Sequence, residues 1–375
     1  MYYFDFAATT PVDPRVADEM DLWLRGNCCN ASSLYSSGKE AGMAVKTARE
    51  RVAALVDAEP DNIIFTSGGT EADNTALISA ALWGRKQGRN RIVVSAIEHH
   101  AILETVEFLE SLGISVTVLP TDGEGRISAD KLRSFLSDDV ALVSVMWVNN
   151  EIGTVQDIPA LAAVSHEFGA LFHTDAVQAL PTQNVSLKAG GADMISVSSH
   201  KIYGPKGCGA LIIRNGLPFY PFMHGGQQES GRRGGTENVA CIAGFGKAAE
   251  LLKKVRGENV SEMARHREQM IMKFKDAGAR INSPADGSPS ILNIAFKDVE
   301  AEGMLFFLNM EDICVSMGSA CNSKSVEPSH VIRAIAVPEE YARGCLRLSF
   351  GHGQTDEECL FVAEKIIELA QRMKA

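Results

Sequence analysis

The chain has little that suits a membrane, a secretory pathway or a nucleic acid. No apolar run approaches the roughly 18 residues that a membrane-spanning helix requires, and the segment after Met1 has no basic region followed by a long apolar core. The net charge of −11 argues against a general binder of nucleic acids or of membrane surfaces. These absences predict a soluble cytoplasmic protein.

Common metal-binding patterns of cysteine are absent as well. The eight cysteines include no C-x-x-C pair from which a zinc or iron-sulfur site could be built. Eight thiols without a secretion signal indicate a reducing compartment. The adjacent Cys28 and Cys29 could be redox-active, but nothing else in the sequence supports that role. We expect most of the cysteines to have no catalytic role.

The order of predicted elements indicates an α/β fold with two domains. Strands and helices alternate from about residue 60 to residue 215, the pattern of a mainly parallel sheet covered by helices. A helical stretch from residue 241 breaks near Gly257 and continues to about residue 270, which would carry the chain out of this large domain. The remainder predicts a smaller α+β domain, with one strand and two helices at 290–295, 302–309 and 355–373.

The most informative residue is a lysine that follows a probable buried strand. The apolar run 194–197 leads into residues 198–207 (SSHKIYGPKG), a glycine-bounded turn that contains Lys201. Desolvation lowers the pKa of an ammonium group and supplies the neutral amine that forms a Schiff base, which is how pyridoxal phosphate (PLP) enzymes anchor their cofactor. The alternative is a surface lysine at a strand end.

Asp175 ends the preceding predicted strand, at residues 170–174. A carboxylate in that position could keep the pyridine nitrogen of PLP protonated, which the cofactor needs to act as an electron sink. The alternative is that the aspartate caps the N-terminus of a following helix.

A glycine-rich turn lies further back in the chain. The short apolar run 62–66 is followed by Ser67, Gly68, Gly69 and Thr70, and then by a helical pattern. Glycines let the backbone approach a ligand, and the N–H groups at a helix start attract an anion such as phosphate. A plain strand-to-helix turn is the alternative, and a lone Gly-Gly loop does not decide between them.

Two further predicted strands end in polar residues. The strand 91–96 is followed by His99 and His100, and an imidazole in that position could stack on a planar cofactor. Either histidine could equally be a satisfied polar residue beside a helix start. The strand 143–147 leads to Asn149 and Asn150 in the same way. Ligands of open α/β sheets gather beyond the carboxyl ends of the strands, so these groups are expected to share one site.

With these residues in view, the chain resembles the cysteine desulfurase family, the NifS and IscS type of class V PLP-dependent enzymes. The resemblance extends from residues 3–11 to residues 347–351. It implies the type I fold of PLP-dependent transferases, with a mainly parallel seven-stranded sheet covered by helices in a large domain. That domain would comprise residues 15–255, and the smaller α+β domain residues 1–14 and 256–375.

The resemblance also assigns roles to cofactor-binding residues. Lys201 would form the Schiff base with PLP, Asp175 would pair with the ring nitrogen and His99 would stack on the ring. Gln178 would contact the ring oxygen. The residues implied for phosphate binding are Gly69, Thr70, Ser198, His200 and Thr236.

Thr236 matches a residue that reaches the phosphate of the opposite subunit, so the resemblance implies a homodimer with shared sites. Residues 231–238 alone would instead favour a solvated hairpin. Asn150, which is also expected to contact the cofactor, and Arg347 match the residues that hold the substrate carboxylate. A guanidinium group suits that task because it binds carboxylates through paired hydrogen bonds.

Cys321 distinguishes the chain within its superfamily. It lies in residues 318–330, among small and polar residues with Lys324 nearby, which favours a mobile and partly ionised thiol. An ordinary free cysteine is instead buried and inert. The resemblance makes Cys321 the nucleophile that removes sulfur from L-cysteine as a persulfide and leaves L-alanine. An acceptor would then take the sulfur, either an iron-sulfur scaffold or another sulfur carrier.

Other functions of the same fold stay open at this point. A selenocysteine lyase or a transaminase would share the cofactor residues, although a transaminase has no need of the loop thiol. A non-catalytic PLP-binding partner is disfavoured by the intact set of lysine, aspartate and cysteine. Two departures from the family pattern are His352, where many relatives have arginine, and Tyr35, where they often have histidine. Histidine at position 352 is expected to remove a positive charge near Arg347 or to make that charge dependent on pH.

Overall fold

The computed structural model describes residues 1–27, 29–318 and 327–374. Its strands are β1 (Tyr2–Tyr3), β2 (Ile63–Thr66), β3 (Arg91–Ser95), β4 (Ser115–Leu119), β5 (Val140–Ser144), β6 (Leu171–Asp175), β7 (Met194–Ser198), β8 (Gly209–Ile213), β9 (Arg280–Ile281), β10 (Ile291–Ala295), β11 (Ile313–Cys314) and β12 (Cys345–Ser349).

The α-helices alternate with these strands. They are α1 (Pro14–Asp21), α2 (Ser36–Leu55), α3 (Gly69–Lys86), α4 (His100–Ser111), α5 (Ala129–Arg133), α6 (Ile158–Glu167), α7 (Leu187–Gly190), α8 (Val239–Asp276), α9 (Ala301–Met310), α10 (His330–Ala334), α11 (Glu339–Ala342) and α12 (Asp356–Lys374). A π-helical turn follows α1 at Leu22–Gly26, and 3₁₀ turns lie at Pro60–Asn62, Ser199–Lys201 and Gln228–Gly231. No helix in the described ranges combines the length and apolarity needed to cross a bilayer.

A seven-stranded sheet forms the centre of the molecule, in the order β2-β8-β7-β6-β5-β3-β4. The strands from β7 to β4 pair in parallel, whereas β8 runs antiparallel to both β7 and β2. Every residue of β5, β6 and β7 is buried, as expected of parallel strands covered on both faces. The predicted seven-stranded, mainly parallel sheet is therefore confirmed.

Alternation along β2 shows how the sheet divides the core. Phe65 packs on one face against Phe245 of α8, and its neighbour Ile64 belongs to the cluster on the other face, with Leu77 of α3. Successive strand residues point to opposite faces, so one short strand contributes to both layers. The strands that run in parallel place their carboxyl ends on one edge of the sheet.

A second apolar cluster lies around the three-stranded antiparallel sheet β12-β10-β9. Phe274 and Phe296 pack here edge to face, and Phe4 brings the start of the chain into the same cluster. A smaller cluster that includes Met146 and Ile332 joins this part to the sheet edge. The elements predicted at 290–295, 302–309 and 355–373 are present as β10, α9 and α12. The domain limits at 14/15 and 255/256 stay a prediction.

The predicted break near Gly257 is wrong, because α8 runs without interruption from Val239 to Asp276. Glycine in a helix interior costs only about 1 kcal/mol relative to alanine. Both halves of α8 bury apolar side chains, in the sheet cluster and in the second cluster respectively. Packing on the two sides of Gly257 therefore outweighs its low helix propensity.

Truncating Phe245 tests the core between α8 and the sheet. Phe245 is 0% exposed, so Phe245→Ala should lower the free energy of unfolding by about 3–5 kcal/mol through lost contacts and a residual cavity. The control is Phe108→Ala, at a side chain that is 53% exposed. This change should alter the free energy of unfolding by no more than about 0.5 kcal/mol. Urea denaturation of both variants is the measurement, and equal shifts would contradict the assignment.

Candidate active site

A cavity of about 260 Å³ lies where the carboxyl ends of the strands meet the start of the chain and β12. It brings together most of the residues that the sequence predicted for cofactor and substrate. Those that line it are Gly69, Thr70, His99, Asn150, Asp175, Gln178, Ser198, His200, Lys201 and Arg347.

Lys201 reaches this cavity from the 3₁₀ turn after β7. Its Nζ donates hydrogen bonds to the carbonyl oxygen of Ala7 and, at 2.8 Å, to that of Ala8. The turn requires glycine at position 204, because a Cβ there would overlap the Ser199 hydroxyl. The carbonyl oxygens of Ala7 and Ala8 therefore help to hold the amine at the cavity wall.

Asp175 ends β6 and is 5% exposed. Burial raises the pKa of its carboxyl to about 6, although a hydrogen bond from the Val177 N–H and the positive charge of Lys201 act in the opposite direction. The Val177 N–H donates to Asp175 Oδ1 at 2.8 Å. The carboxyl thus accepts from a local turn, because the residues that follow β6 form a turn and not the helix start that the alternative assumed, and it also lines the cavity.

The start of α3 forms an anion cradle. A Cβ on Gly69 would lie 2.8 Å from Val177 Cγ2, so the close approach of the turn to the β6 loop requires glycine there. Free N–H groups at a helix start attract an anion. The cradle lies beside Ser198 and His200. Burial, together with the charges of Lys201 and Lys206, lowers the pKa of His200 to about 4, so the ring is neutral at neutral pH.

His99 precedes α4, and its ring orientation is fixed by the helix. Its Nδ1 accepts a hydrogen bond from the Ala101 N–H at 3.1 Å, so the ring proton lies on Nε2 when the imidazole is neutral. Burial, together with the charges of Lys201, His100 and His330, lowers the pKa of His99 to about 4. A neutral, fixed ring is suited to stacking on a planar group.

Arg347 lies in the middle of β12 and is 2% exposed. Its Nη2 donates to Asp5 Oδ1 at 2.7 Å, and its Nη1 donates to the Asn150 carbonyl oxygen at 2.9 Å. Its Nε has no hydrogen-bond partner among the described residues. The guanidinium group is therefore rigidly placed at the cavity, with donor capacity left for an anionic ligand.

One predicted residue of the described ranges does not line the cavity. Thr236 is exposed, in the segment that precedes α8. Cys321 lies outside the described residues, as does Cys28. The described residues on either side of the Cys321 segment are anchored near the cavity. Ser316 pairs with Arg347 through backbone hydrogen bonds, and His330 Nε2 lies 2.9 Å from the Glu98 carbonyl oxygen.

The two residues that depart from the family pattern, His352 and Tyr35, do not line this cavity. The His352 ring packs on Tyr203, with centroids 4.0 Å apart, and the backbone N–H of His352 donates to the Tyr203 hydroxyl at 2.8 Å. His352 therefore lines a smaller cavity behind Lys201 and does not line the one that contains Arg347. Tyr35 is exposed just before α2 and has no evident role in the site.

The sequence analysis missed several groups of the site. Asp73 and Met146 line the cavity, Ala7 and Ala8 supply carbonyl oxygens, and Asp5 holds Arg347. A signal existed only for Asp73, a carboxylate on the same helix face as apolar residues four and seven positions later.

Comparison with known proteins identifies the family. The model of the aminotransferase class-V family matches residues 2–360. A protein of Dictyoglomus turgidum named cysteine desulfurase IscS is 42% identical, over 98% of this chain and 94% of its own length. One of the same name from Clostridium botulinum is 43% identical, over 99% of this chain and 95% of its own.

Solved structures agree with these relatives. A NifS-like protein superimposes with a TM-score of 0.93 at 34% identity, over 99% of both chains. A NifS-like protein from Rickettsia africae gives a TM-score of 0.88 at 30% identity, again over 99% of both chains. A structure described as SspA in complex with cysteine gives a TM-score of 0.84 at 34% identity, over 95% of this chain and the whole of that chain. The chain therefore belongs to the aminotransferase class-V family and, within it, to the cysteine desulfurases.

Proposed function

We propose that the protein uses PLP held at Lys201 to transfer the sulfur of L-cysteine to Cys321, with L-alanine as the second product. The observation that carries the proposal is the single cavity that gathers an amine, a buried carboxylate, an anion cradle and a fixed guanidinium group. Each of these groups matches one part of the cofactor or of an amino-acid substrate. The family relationship supports the reaction, and the cavity supports the residue roles.

The residues present fit PLP. The cradle at Gly69 and Thr70 suits its phosphate, and Asp175, which lines the same cavity, suits its ring nitrogen. When bound, PLP supplies the electron sink for negative charge that develops at the substrate Cα. The neutral ring of His99 would pack against the cofactor, and Gln178 is fixed at the cavity wall because its Nε2 donates to the Ala7 carbonyl oxygen at 2.7 Å.

Lys201 would also move a proton. Once its amine is released by the incoming substrate, it takes the proton from the substrate Cα as a general base. The carbonyl oxygens of Ala7 and Ala8 stabilise the ammonium form that results, since each accepts a hydrogen bond from Nζ. The same ammonium group can then return the proton to carbon, which completes alanine.

Arg347 and Asn150 would fix the substrate carboxylate and thereby orient the substrate sulfur. The Cys321 thiolate attacks the substrate sulfur, a sulfur-sulfur bond forms and the carbon-sulfur bond breaks. The electron pair of the broken carbon-sulfur bond passes to the carbon skeleton, and Cβ takes up the proton lost by the substrate thiol. With the Cα proton returned by Lys201, the skeleton leaves as alanine, and the sulfur stays on the enzyme as a persulfide. Lys324 nearby in sequence favours the thiolate form.

The persulfide would be passed on to an iron-sulfur scaffold or another sulfur carrier. We also propose a homodimer in which Thr236 contributes to the phosphate site of the partner. Its exposure, outside the cavity of its own chain, leaves it accessible to a second subunit. A cytoplasmic location is proposed from the eight thiols of the sequence, because thiols stay reduced in that compartment.

Replacing Lys201 tests the cofactor assignment. Lys201→Ala should lose borohydride-trapped PLP and at least about 1,000-fold of its turnover, because covalent attachment and proton transfer are both removed. The matched control is Lys188→Ala, at an exposed lysine that pairs with Glu59, which should retain both. Peptide mapping of the reduced adduct is the measurement. An adduct on any other lysine of the wild-type protein would refute the assignment.

Replacing Cys321 separates sulfur capture from the cofactor steps. Cys321→Ala should keep PLP and still change its absorption spectrum with L-cysteine, while alanine production falls by roughly 100-fold or more because no thiolate attacks the sulfur. Cys314→Ala, at a half-buried thiol of β11, is the control and should stay active.

Mass spectrometry after brief exposure to L-cysteine, without reductant, locates the sulfur. One added sulfur atom is expected on the peptide that contains Cys321. Undiminished desulfuration by Cys321→Ala, or added sulfur only on Cys29 or Cys314, would defeat the proposed mechanism even if the PLP assignment held.

A further inference from the structure

A second carboxyl group lies in the wall of the same cavity. Asp73, in the second turn of α3, is 1% exposed and lines the cavity together with Asp175. The Ser196 side chain hydrogen-bonds Asp73, and Ser196 is also the strand partner of Asp175 in β7. The two carboxyl groups are therefore neighbours of one serine, and their burial disfavours two negative charges side by side.

A short line of buried polar groups ends at Asp73. Ser144 Oγ lies 2.9 Å from His173 Nδ1, and His173 Nε2 lies 2.9 Å from Ser196 Oγ. His173 Nε2 is also 3.6 Å from Asp73 Oδ1. Burial lowers the pKa of His173 to about 3, so the imidazole is neutral and provides no positive charge for Asp73.

The titratable and charged groups around Asp73 come from four places in the fold, after β3, along β6, after β7 and along β12. They are Glu98, His99, His173, Asp175, His200, Lys201 and Arg347. Lys201 and Arg347 are the cations among them, and the charge of Lys201 acts on Asp175. Asp73 Oδ1 has no hydrogen-bond partner among the described residues, whereas Asp175 Oδ1 accepts the Val177 N–H.

From this asymmetry we infer that Asp73 is a positioning residue that holds a proton at neutral pH and thereby leaves Asp175 as the ionised member of the pair. The inference rests on the proposed role of Asp175 at the ring nitrogen. A neutral Asp73 leaves a single negative charge beside the single positive charge of a protonated pyridine. The buried site is then electrically balanced, which two ionised carboxylates would prevent.

The pKa directions agree with the geometry. Burial raises the pKa of Asp73 well above its usual range, and the neighbouring charges of Asp175 and Glu98 raise it further, against the effect of the Ser196 hydrogen bond. Burial also raises the pKa of Asp175, but Val177 and Lys201 oppose the rise. The proton shared by a coupled pair therefore resides mainly on Asp73.

Asparagine imitates a protonated aspartate, so Asp73→Asn is the sharpest variant. In the holoenzyme at neutral pH it should retain PLP within about threefold of wild type, as measured by equilibrium dialysis. Asp175→Asn should weaken retention by about tenfold or more, because it removes the charge that balances the ring nitrogen. A loss in Asp73→Asn as large as that in Asp175→Asn would overturn the inference.

Infrared spectroscopy of the holoenzymes supplies a readout that does not depend on activity. A protonated buried carboxyl gives a C=O stretch above the amide region, and part of this signal should disappear in Asp73→Asn. Glu98→Gln is the control for the other buried acid, since burial raises the pKa of Glu98 to about 8. An acid signal that is unchanged in Asp73→Asn contradicts the inference.

If Asp73→Asn does not fold, the infrared spectrum of Glu98→Gln still tests the inference, because this variant removes the other buried acid and keeps Asp73. The acid signal must then persist at neutral pH, and its absence would refute a protonated Asp73. These outcomes are distinct from failure of the proposed function. A wild-type protein that retains no PLP would remove the role of Asp175, whereas the infrared signal reports the proton on Asp73 by itself.

Discussion

The start of the chain fixes the geometry of the whole site. Lys201 Nζ donates to the carbonyl oxygens of Ala7 and Ala8, and the Ala7 N–H in turn donates to Ser349 Oγ of β12 at 2.8 Å. Residues 4–10 therefore connect the reactive turn after β7 to the antiparallel sheet of the second cluster. This segment therefore joins the lysine on one sheet to the arginine on the other, in addition to the direct hydrogen bond from Arg347 to the Asn150 carbonyl oxygen.

Desolvation is the second constraint, because it sets the charge of nearly every titratable group around the cavity. His99 and His200 are neutral for this reason, and Asp175 keeps its charge only through the Val177 hydrogen bond and Lys201. A buried site of this kind can hold few charges, each with a partner. The arrangement suits a cofactor that brings its own phosphate and a cationic ring nitrogen.

Local sequence patterns predicted the residues whose roles depend on one strand and the turn that follows it. Lys201 and Asp175 were found because an apolar run ends at each of them, and Gly69 because a glycine turn opens a helix. Asp5, Ala7 and Ala8 were missed because their importance arises from contacts with residues almost two hundred or more positions later, and backbone carbonyls leave no sequence signal. The antiparallel direction of β8 and the continuity of α8 likewise depend on tertiary packing, which overrides local propensity.

The ion pair between Arg347 and Asp5 links substrate recognition to the same segment. A carboxylate that binds a guanidinium group through two parallel hydrogen bonds uses two adjacent N–H donors. At Arg347, the Nε that has no partner among the described residues lies beside Nη2, which already donates to Asp5. In the proposed reaction, a substrate carboxylate bound in this way would share or displace Asp5. Asp5 is only two residues from Ala7, whose carbonyl oxygen accepts from Lys201. Substrate binding at Arg347 would then act on the segment whose carbonyl oxygens hold the lysine amine.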